Sequence, residues 1–185
     1  CSREKDLRTS PYVEGDGAIY FGEDSGSGGG KFYAIGSDGK KKWDSSDWSY
    51  KSKTKAIVAN PIAGPGQSIL FGSDDTYVYA VSPSNGSLLW KIAIGDEVRG
   101  LAVTSNGLII AVGFYGQVVA IQATETDQSG KKVWNTAKVW TFSPTDQWSG
   151  LGGYVNSDLA LHPDNRLTFG LSSSLIHLGL SQPKP

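Results

Sequence analysis

Cysteine is almost missing from this chain. Cys1 is the only one in 185 residues, which excludes an internal disulfide, a thiolate metal cage and paired-cysteine redox chemistry. Methionine is absent altogether, and charge is sparse, at 19 % of residues against a usual share of about 25 %. Sparse charge beside 38 % hydrophobic residues argues against disorder and for a packed core. A net charge of −1 supplies no field to gather phosphate backbones, so no nucleic-acid partner is expected. No apolar run approaches the about 18–20 residues that cross a bilayer as a helix, and the chain opens on charged CSREKD, not on an apolar leader. Helical periodicity is missing too, because no stretch sustains apolar residues at a spacing of about 3.6 between capping signals.

What the chain has in excess is glycine, 24 residues, together with six Trp and eight Tyr. Many turns and aromatic packing follow, and they are organised as a repeat. A short strand ends in Gly four times: AIYFG (Ala18 to Gly22), SILFG (Ser68 to Gly72), IIAVG (Ile109 to Gly113) and LTFG (Leu167 to Gly170). A second strand follows each: FYAI (Phe32 to Ile35), VYAV (Val78 to Val81), VVAI (Val118 to Ile121) and, more loosely, LIHLGL (Leu175 to Leu180). Then comes Gly-x-x-x-Trp, at Gly39 to Trp43, Gly86 to Trp90 and Gly130 to Trp134, so that Trp recurs after 47 and then 44 residues. Asp16-Gly17, Asn106-Gly107, Asp38-Gly39 and Asn85-Gly86 supply the positive φ that tight hairpins need. With further strands upstream, at Ala56 to Ala63 and Arg99 to Thr104, each unit is a four-stranded meander of roughly 40–50 residues, the period of a propeller blade. The fold class expected is all-β: a β-propeller of about four four-stranded antiparallel blades, near 10–50, 51–97, 98–143 and 144–185, behind a tether at 1–9.

The phrase SILFGSDDTYVYAVSPSNGSLLW (Ser68 to Trp90) resembles the PQQ-like β-propeller repeat, over about residues 10 to 180. The resemblance implies that Trp43, Trp90 and Trp134 dock between blades, that Ala34, Ala80 and Ala120 are the small residues beside them, and that Gly39, Gly86 and Gly130 make the turns. The Asp common after the Ala motif is replaced by Gly36, Ser82 and Gln122. Enzymes of this family resemble one another in a vicinal cysteine pair, a catalytic Asp and a calcium site beside the quinone. This chain cannot form the cysteine pair, and fold alone does not establish activity. Rings of this repeat have seven or eight blades. Four units therefore belong to a longer polypeptide, close as a small ring with Arg8 to Val13 completing the last blade, or pair with another chain.

Cys1, followed by Ser2 and a polar stretch, resembles the mature end of a bacterial lipoprotein. That resemblance implies acylation at Cys1, a membrane contact through lipid, and a place in the periplasm or at the cell surface. The expected function is a non-catalytic scaffold or interaction subunit of an envelope protein assembly, whose partners are other protein subunits. No cofactor, metal or small-molecule substrate is implied by the residues. The alternatives are a fragment of a quinone-dependent dehydrogenase and a propeller that binds carbohydrate or peptide.

The remaining chemistry-bearing residues read mostly as structure. His162 and His177 have no third ligand, and neither they nor Asp158 and Asp164 sit in a nucleophile motif. Glu23-Asp24 and Asp74-Asp75 occupy equivalent loops without a calcium-loop pattern, so solvated turn carboxylates are expected. The tract Gly26 to Gly30 reads as a hairpin tip. Lys40, Lys41, Lys42, Lys51, Lys53 and Lys55 interleave with Trp43, Trp48 and Tyr50, and read as a solvated loop. Trp140 and Trp148 bracket a longer, polar connection and, with Trp48, are the expected partner contacts.

Overall fold

The computed structural model describes residues 6–24, 29–47, 54–129, 131–143, 153–155, 157–164, 166–172 and 174–180. Cys1, Trp48, Trp148, Gly130, Lys51 and Lys53 lie outside them, as does most of the glycine tract. Among the described residues fifteen strands form four antiparallel sheets, in chain order. The first contains β1 (Tyr12–Val13), β2 (Ile19–Gly22), β3 (Phe32–Ile35) and β4 (Lys41–Asp44). The second contains β5 (Ile62–Gly64), β6 (Ser68–Gly72), β7 (Tyr77–Val81) and β8 (Leu88–Ala93). The third contains β9 (Val98–Val103), β10 (Ile109–Gly113), β11 (Val118–Gln128) and β12 (Lys131–Phe142). The fourth has three strands among the described residues: β13 (Ala160–Leu161), β14 (Arg166–Leu171) and β15 (Ser174–Gly179). Apart from two 3₁₀ turns, at Ser45–Asp47 and Pro65–Gln67, no helix occurs among the described residues.

Each sheet alternates side chains between its two faces, and both faces of an inner sheet are apolar, so the sheets stack. One core joins sheets one and two: Tyr20, Phe32, Ala34 and Trp43 meet Ile69, Phe71, Tyr79 and Val81, with Phe32 and Phe71 stacked at 4.2 Å. A second core packs Leu70, Val78, Ala80 and Trp90 on Ile109, Ala111, Val119 and Ile121. A third packs Ile110, Val112, Val118 and Ala120 on Leu167, Phe169 and Ile176. No hydrophobic cluster of described residues joins the fourth sheet to the first.

Backbone hydrogen bonds stitch the same joints at one rim. The N–H groups of Ile57, Val98 and Val155 donate to the carbonyls of Glu23, Ser73 and Phe114 in the preceding sheet. One residue earlier, the carbonyls of Ala56, Glu97 and Tyr154 accept from Asp74, Phe114 and Ser172 of their own sheet. Asp6 repeats this second bond by accepting from Asp24, and Thr9 Oγ1 bonds Gly22. Residues 6–9 are therefore knit to the first sheet rather than forming the end of a tether. Tyr12–Val13 pairs with Ile19–Tyr20 of its own sheet, so this segment does not complete the last one.

Asp44, buried at the end of β4, adds a pH-dependent stabilisation. Desolvation pushes its carboxyl up, but hydrogen bonds from the Ser46 hydroxyl, Lys41 and the Ser46 N–H outweigh that cost and hold the pKa down at about 2. A depressed carboxylate stabilises the fold above its unfolded value of about 3.9 and loses that contribution as pH falls towards the folded value. Between about pH 4 and pH 2 the chain is expected to lose about 2 kcal/mol through this group. Asp44→Asn should flatten that part of the acid denaturation curve, measured by fluorescence; an unchanged curve would rule the contribution out.

Candidate functional site

The three indoles expected between blades occupy two kinds of place. Trp43 pairs with Ala34 across β3 and β4, is buried, and donates its Nε1–H to the carbonyl of Pro83 in the next sheet at 3.1 Å. Trp90 pairs with Ala80 in the same way. Opposite Ala120, however, stands Trp140, and Trp134 lies opposite Glu125, further out along the same hairpin. A register shift follows the alanine in all three sheets, after Ala34, Ala80 and Ala120. Trp140 is thus the blade residue of the third sheet, packed at the joint to the fourth. Trp140 therefore holds the place beside Ala120 that was expected for Trp134, and Trp134 packs from the other side on the core joining the second and third sheets. The physical reason is an extended β11–β12 hairpin, in which strand pairing runs on from Gln122–Ala137 to Gln128–Lys131.

This hairpin forms an arm lying back on the second sheet. Trp134 meets Trp90 at a ring separation of 6.5 Å, and a Cβ on Gly66 would come within 2.6 Å of its ring. Gly39 and Gly86 take positive φ in the two shorter turns, which end well before such an arm could form. Lengthening the third turn leaves Trp90 without a counterpart of the Pro83 carbonyl: its buried Nε1–H has no hydrogen-bond partner among the described residues. Beside the arm runs a groove of about 350 Å³, lined by Pro83, Leu88 and Leu89 on one side and by Glu125, Lys132 and Trp134 on the other. Lys132 and Glu125 form an ion pair at 2.9 Å.

The larger concavity, about 420 Å³, opens where the innermost segments of all four sheets converge. The first sheet contributes Arg8 and Ser10, the second Val58, Asn60 and Asp74, the third Arg99 and Phe114, and the fourth Val155, Ser157 and Asp158. Arg99 is fixed on three sides: it pairs with Asp74 and Glu97, and its guanidinium lies 4.7 Å from the Phe114 ring centre. A polar strap crosses the cleft, in which the Ser10 N–H donates to Asn60 Oδ1 at 2.7 Å and Asn60 Nδ2 donates to Asp158 Oδ1 at 2.8 Å. At its lip Phe114 stacks on Tyr154 at 4.4 Å, with Tyr115 at 5.1 Å from Phe114. Tyr115 and Tyr154 are 61 % and 48 % exposed. The shelf is stiff because the Tyr115 N–H donates to Asp96 and the Tyr154 N–H to Ser172.

The acidic pairs are not solvated turn carboxylates. Glu23 is buried and accepts from the Tyr33 hydroxyl; burial and that bond push the Tyr33 phenol well above its ordinary range. Asp24 pairs with Arg8, Asp74 with Arg99, and Asp75 accepts from Tyr79. Lys40, Lys41 and Lys42 face Asp38, Asp44 and Asp16, which disperses the basic cluster. His162 Nε2 and His177 Nδ1 both meet Thr168 Oγ1, at 2.9 and 2.8 Å, on the fourth sheet and apart from the cleft lining. Asp164 is occupied by Arg166. No group of three or more His, Cys, Asp or Glu among the described residues is placed to hold a metal. The cleft does not fit the quinone of the family's enzymes: no cysteine lines it among the described residues, and its two carboxylates are engaged, Asp74 by Arg99 and Asp158 by Asn60.

Sequence reasoning missed the cleft's own groups, Arg99, Asn60, Phe114, Tyr115 and Tyr154. One signal was present. After the strand-ending glycine the first two units carry Glu23-Asp24 and Ser73-Asp74, and the third carries Phe114-Tyr115, an aromatic pair where the first two units are acidic.

Comparison with known proteins supports this geometry. The structure is similar to that of BamB from Moraxella catarrhalis, with a TM-score of 0.64, 15 % identity, and coverage of 96 % of this chain and 48 % of that one. It is also similar to a protein of unknown function from Bacteroides caccae, with a TM-score of 0.58, 12 % identity and coverage of 91 % and 57 %. A chain in the mitotic checkpoint complex aligns with a TM-score of 0.67 and 14 % identity, over 96 % of this chain and 50 % of that one. The chain thus spans about half the length of the solved structures it matches. A search of curated protein sequences gives no match. The family model described as outer membrane protein assembly factor BamB matches residues 3–160. With four meandering sheets stacked through Ala–Trp pairs and a sequence match over most of its length, the chain belongs to that PQQ-like β-propeller family.

Proposed function

We propose that the chain is a non-catalytic scaffold in a protein assembly of the bacterial envelope, held at the membrane by lipid on Cys1. The observation that carries this reading is the family match over residues 3–160, whose description is of an outer membrane assembly factor. The geometry supports it. Stitched joints hold the rim loops in place, so a partner that docks there pays little ordering entropy. Arg99, the less exposed of the two cations lining the cleft, is committed to Asp74, Glu97 and Phe114, and neither histidine lines the cleft. Such a site presents a surface whose charged side chains are already engaged with one another. No helix among the described residues is long and apolar enough to cross a membrane.

The test uses cells of a bacterial host and the whole chain. A photo-crosslinking residue at Tyr115 should give one discrete protein adduct, and the same probe at Asn106, in a hairpin turn, should give none. Fatty-acid label should enter the chain and be lost in Cys1→Ser, with the protein moving from the membrane to the soluble fraction. Oxidation of alcohols after adding pyrroloquinoline quinone and calcium would overturn the non-catalytic reading, and unchanged fractionation of Cys1→Ser would overturn the anchor.

A further inference from the structure

The third sheet ends on β12, a strand of twelve residues, where the last strands of the first two sheets, β4 and β8, have four and six. A strand at the edge of a sheet leaves a row of backbone N–H and C=O groups unpaired, and proteins usually keep such edges short for that reason. Beyond the register shift that follows Ala120, β12 pairs with β11 without a break from Gln122–Ala137 to Gln128–Lys131, and no proline interrupts it. Among the described residues β11 is the only backbone partner that β12 has.

The register decides which groups face the open edge. The Gly113 N–H donates to the Gln117 carbonyl, so Val119 and Ile121, which alternate with Gln117, turn their backbone groups to β10. Gln122, Thr124 and Thr126 turn theirs to β12, where they meet Ala137, Asn135 and Val133. Lys132, Trp134 and Thr136 therefore direct their N–H and C=O groups away from β11. The side chains of Lys132 and Trp134 line the groove opposite Pro83, Leu88 and Leu89. A strand laid along this edge, about 4.8 Å out, would hold every second side chain over that groove, where Leu88 and Leu89 are half-buried.

Charge selects among extended segments. β12 carries Lys131, Lys132 and Lys138 and no acidic residue. Lys132 is paired with Glu125, whereas Lys131 and Lys138 are exposed and form no ion pair among the described residues. Two copies of this edge laid together would set lysines against lysines, so charge disfavours a second copy of the chain and favours a carboxylate-bearing strand.

We propose that the β12 edge takes an extended acidic segment of a partner protein as an added strand. Its apolar side chains lie at alternate positions over the groove, and its carboxylates, towards the two ends, meet Lys131 and Lys138. The surface begins where β11 has run away from the aromatic lip of the cleft, so it is a second docking surface. Its failure would leave the reading of the cleft as it stands.

Backbone amide exchange of the 185-residue chain, read residue by residue by NMR, tests the proposal. The probe is a capped nine-residue peptide that alternates valine with threonine and carries glutamate near both ends. In the free chain Val133 and Asn135 should exchange slowly and Trp134 and Thr136 fast, and the peptide should slow the latter two by on the order of tenfold or more. A version N-methylated throughout should protect nothing, and a lysine-ended version should bind on the order of tenfold more weakly. Lys131→Glu combined with Lys138→Glu alters exposed side chains, should leave the thermal midpoint unchanged and should reverse the preference between the two charged peptides. Slow exchange of Trp134 and Thr136 in the free chain would show a covered edge and overturn the proposal, as would protection that rises with chain concentration alone, the mark of self-pairing. Protection by the N-methylated peptide would mean that the groove binds without an added strand, and equal binding of both charged peptides would remove the acidic partner. Either result overturns the proposal, as does exchange indifferent to the glutamate peptide at every concentration.

Discussion

Truncating Trp43 to alanine is expected to lower stability by about 3–5 kcal/mol, read from the midpoint of urea denaturation. The indole is buried between the first two sheets, with Tyr20 at 5.9 Å and Phe32 at 6.0 Å between ring centres. Its removal opens a cavity that strands fixed by stitching on either side cannot close. It also strands the Pro83 carbonyl, which loses the Nε1–H donor. Trp134→Ala is the comparison: its ring reaches from the arm onto Trp90 at the edge of a joint and is only half-buried, so about 1–2 kcal/mol should go. Phenylalanine separates packing from hydrogen bonding. Trp43→Phe should still cost about 1 kcal/mol or more through the lost bond, and Trp90→Phe should cost less, since its N–H has no partner to lose. Equal losses for Trp43→Ala and Trp134→Ala would show that the register does not distinguish a joint residue from an arm residue.

That contrast also measures how far the sequence could be read. Strands ending in Gly22, Gly72 and Gly113, and the one passing through Gly170, were visible because a turn pair (Asp16-Gly17, Pro65-Gly66, Asn106-Gly107 or Asp164-Asn165) and an apolar run act locally, within a few residues of one another. The four stacked sheets follow from that local pattern, as does the absence of α-helix among the described residues. Gly-x-x-x-Trp was a different kind of signal. In the first two units it coincides with the Ala–Trp pair, and in the third it belongs to the tip of a hairpin arm. Only the pairing of Ala120 with Trp140 reveals the substitution. Pairing partners on a lengthened hairpin are far apart in sequence, and nothing local marks where the blade ends and the arm begins.

The cleft was illegible for a related reason. Arg99 acquires its role from Asp74, 25 residues away, and the strap from Asn60 to Asp158 joins residues 98 positions apart. Each carboxylate of the acidic pairs looked free because its partner lies on another strand: Tyr33 for Glu23, Arg8 for Asp24, Arg99 for Asp74 and Tyr79 for Asp75. Local patterns specify a sheet, and stacking decides which polar groups remain available. In this chain stacking consumes most of them, leaving the aromatic lip of Phe114, Tyr115 and Tyr154 as the distinctive exposed feature of the cleft.

Adding a side chain at Gly72 should be the most damaging single change at a joint. The strand there is extended, so the demand on glycine is space and not backbone angle. A Cβ would stand 2.2 Å from Val98 Cγ1, 2.5 Å from Val98 Cβ and 3.1 Å from the Ala59 Cβ. Val98 cannot retreat easily, because its N–H is bonded to the Ser73 carbonyl beside the same glycine and its side chain is buried among the residues joining sheets two and three. Overpacking usually costs about 1–3 kcal/mol; with both backbones tied, Gly72→Val should reach or exceed the upper end and open the joint. Gly72→Ala and Val98→Ala, made singly and together, test the cause. If the clash is with Val98, Gly72→Ala costs little in the Val98→Ala background, and the two changes show a coupling of about 1–3 kcal/mol. Additive effects would mean that the glycine is required for some other reason. The same pair reports on the arc as a whole: when sheets two and three separate, fluorescence from Trp90 and Trp134, which face each other across that joint, should change together with the loss of structure.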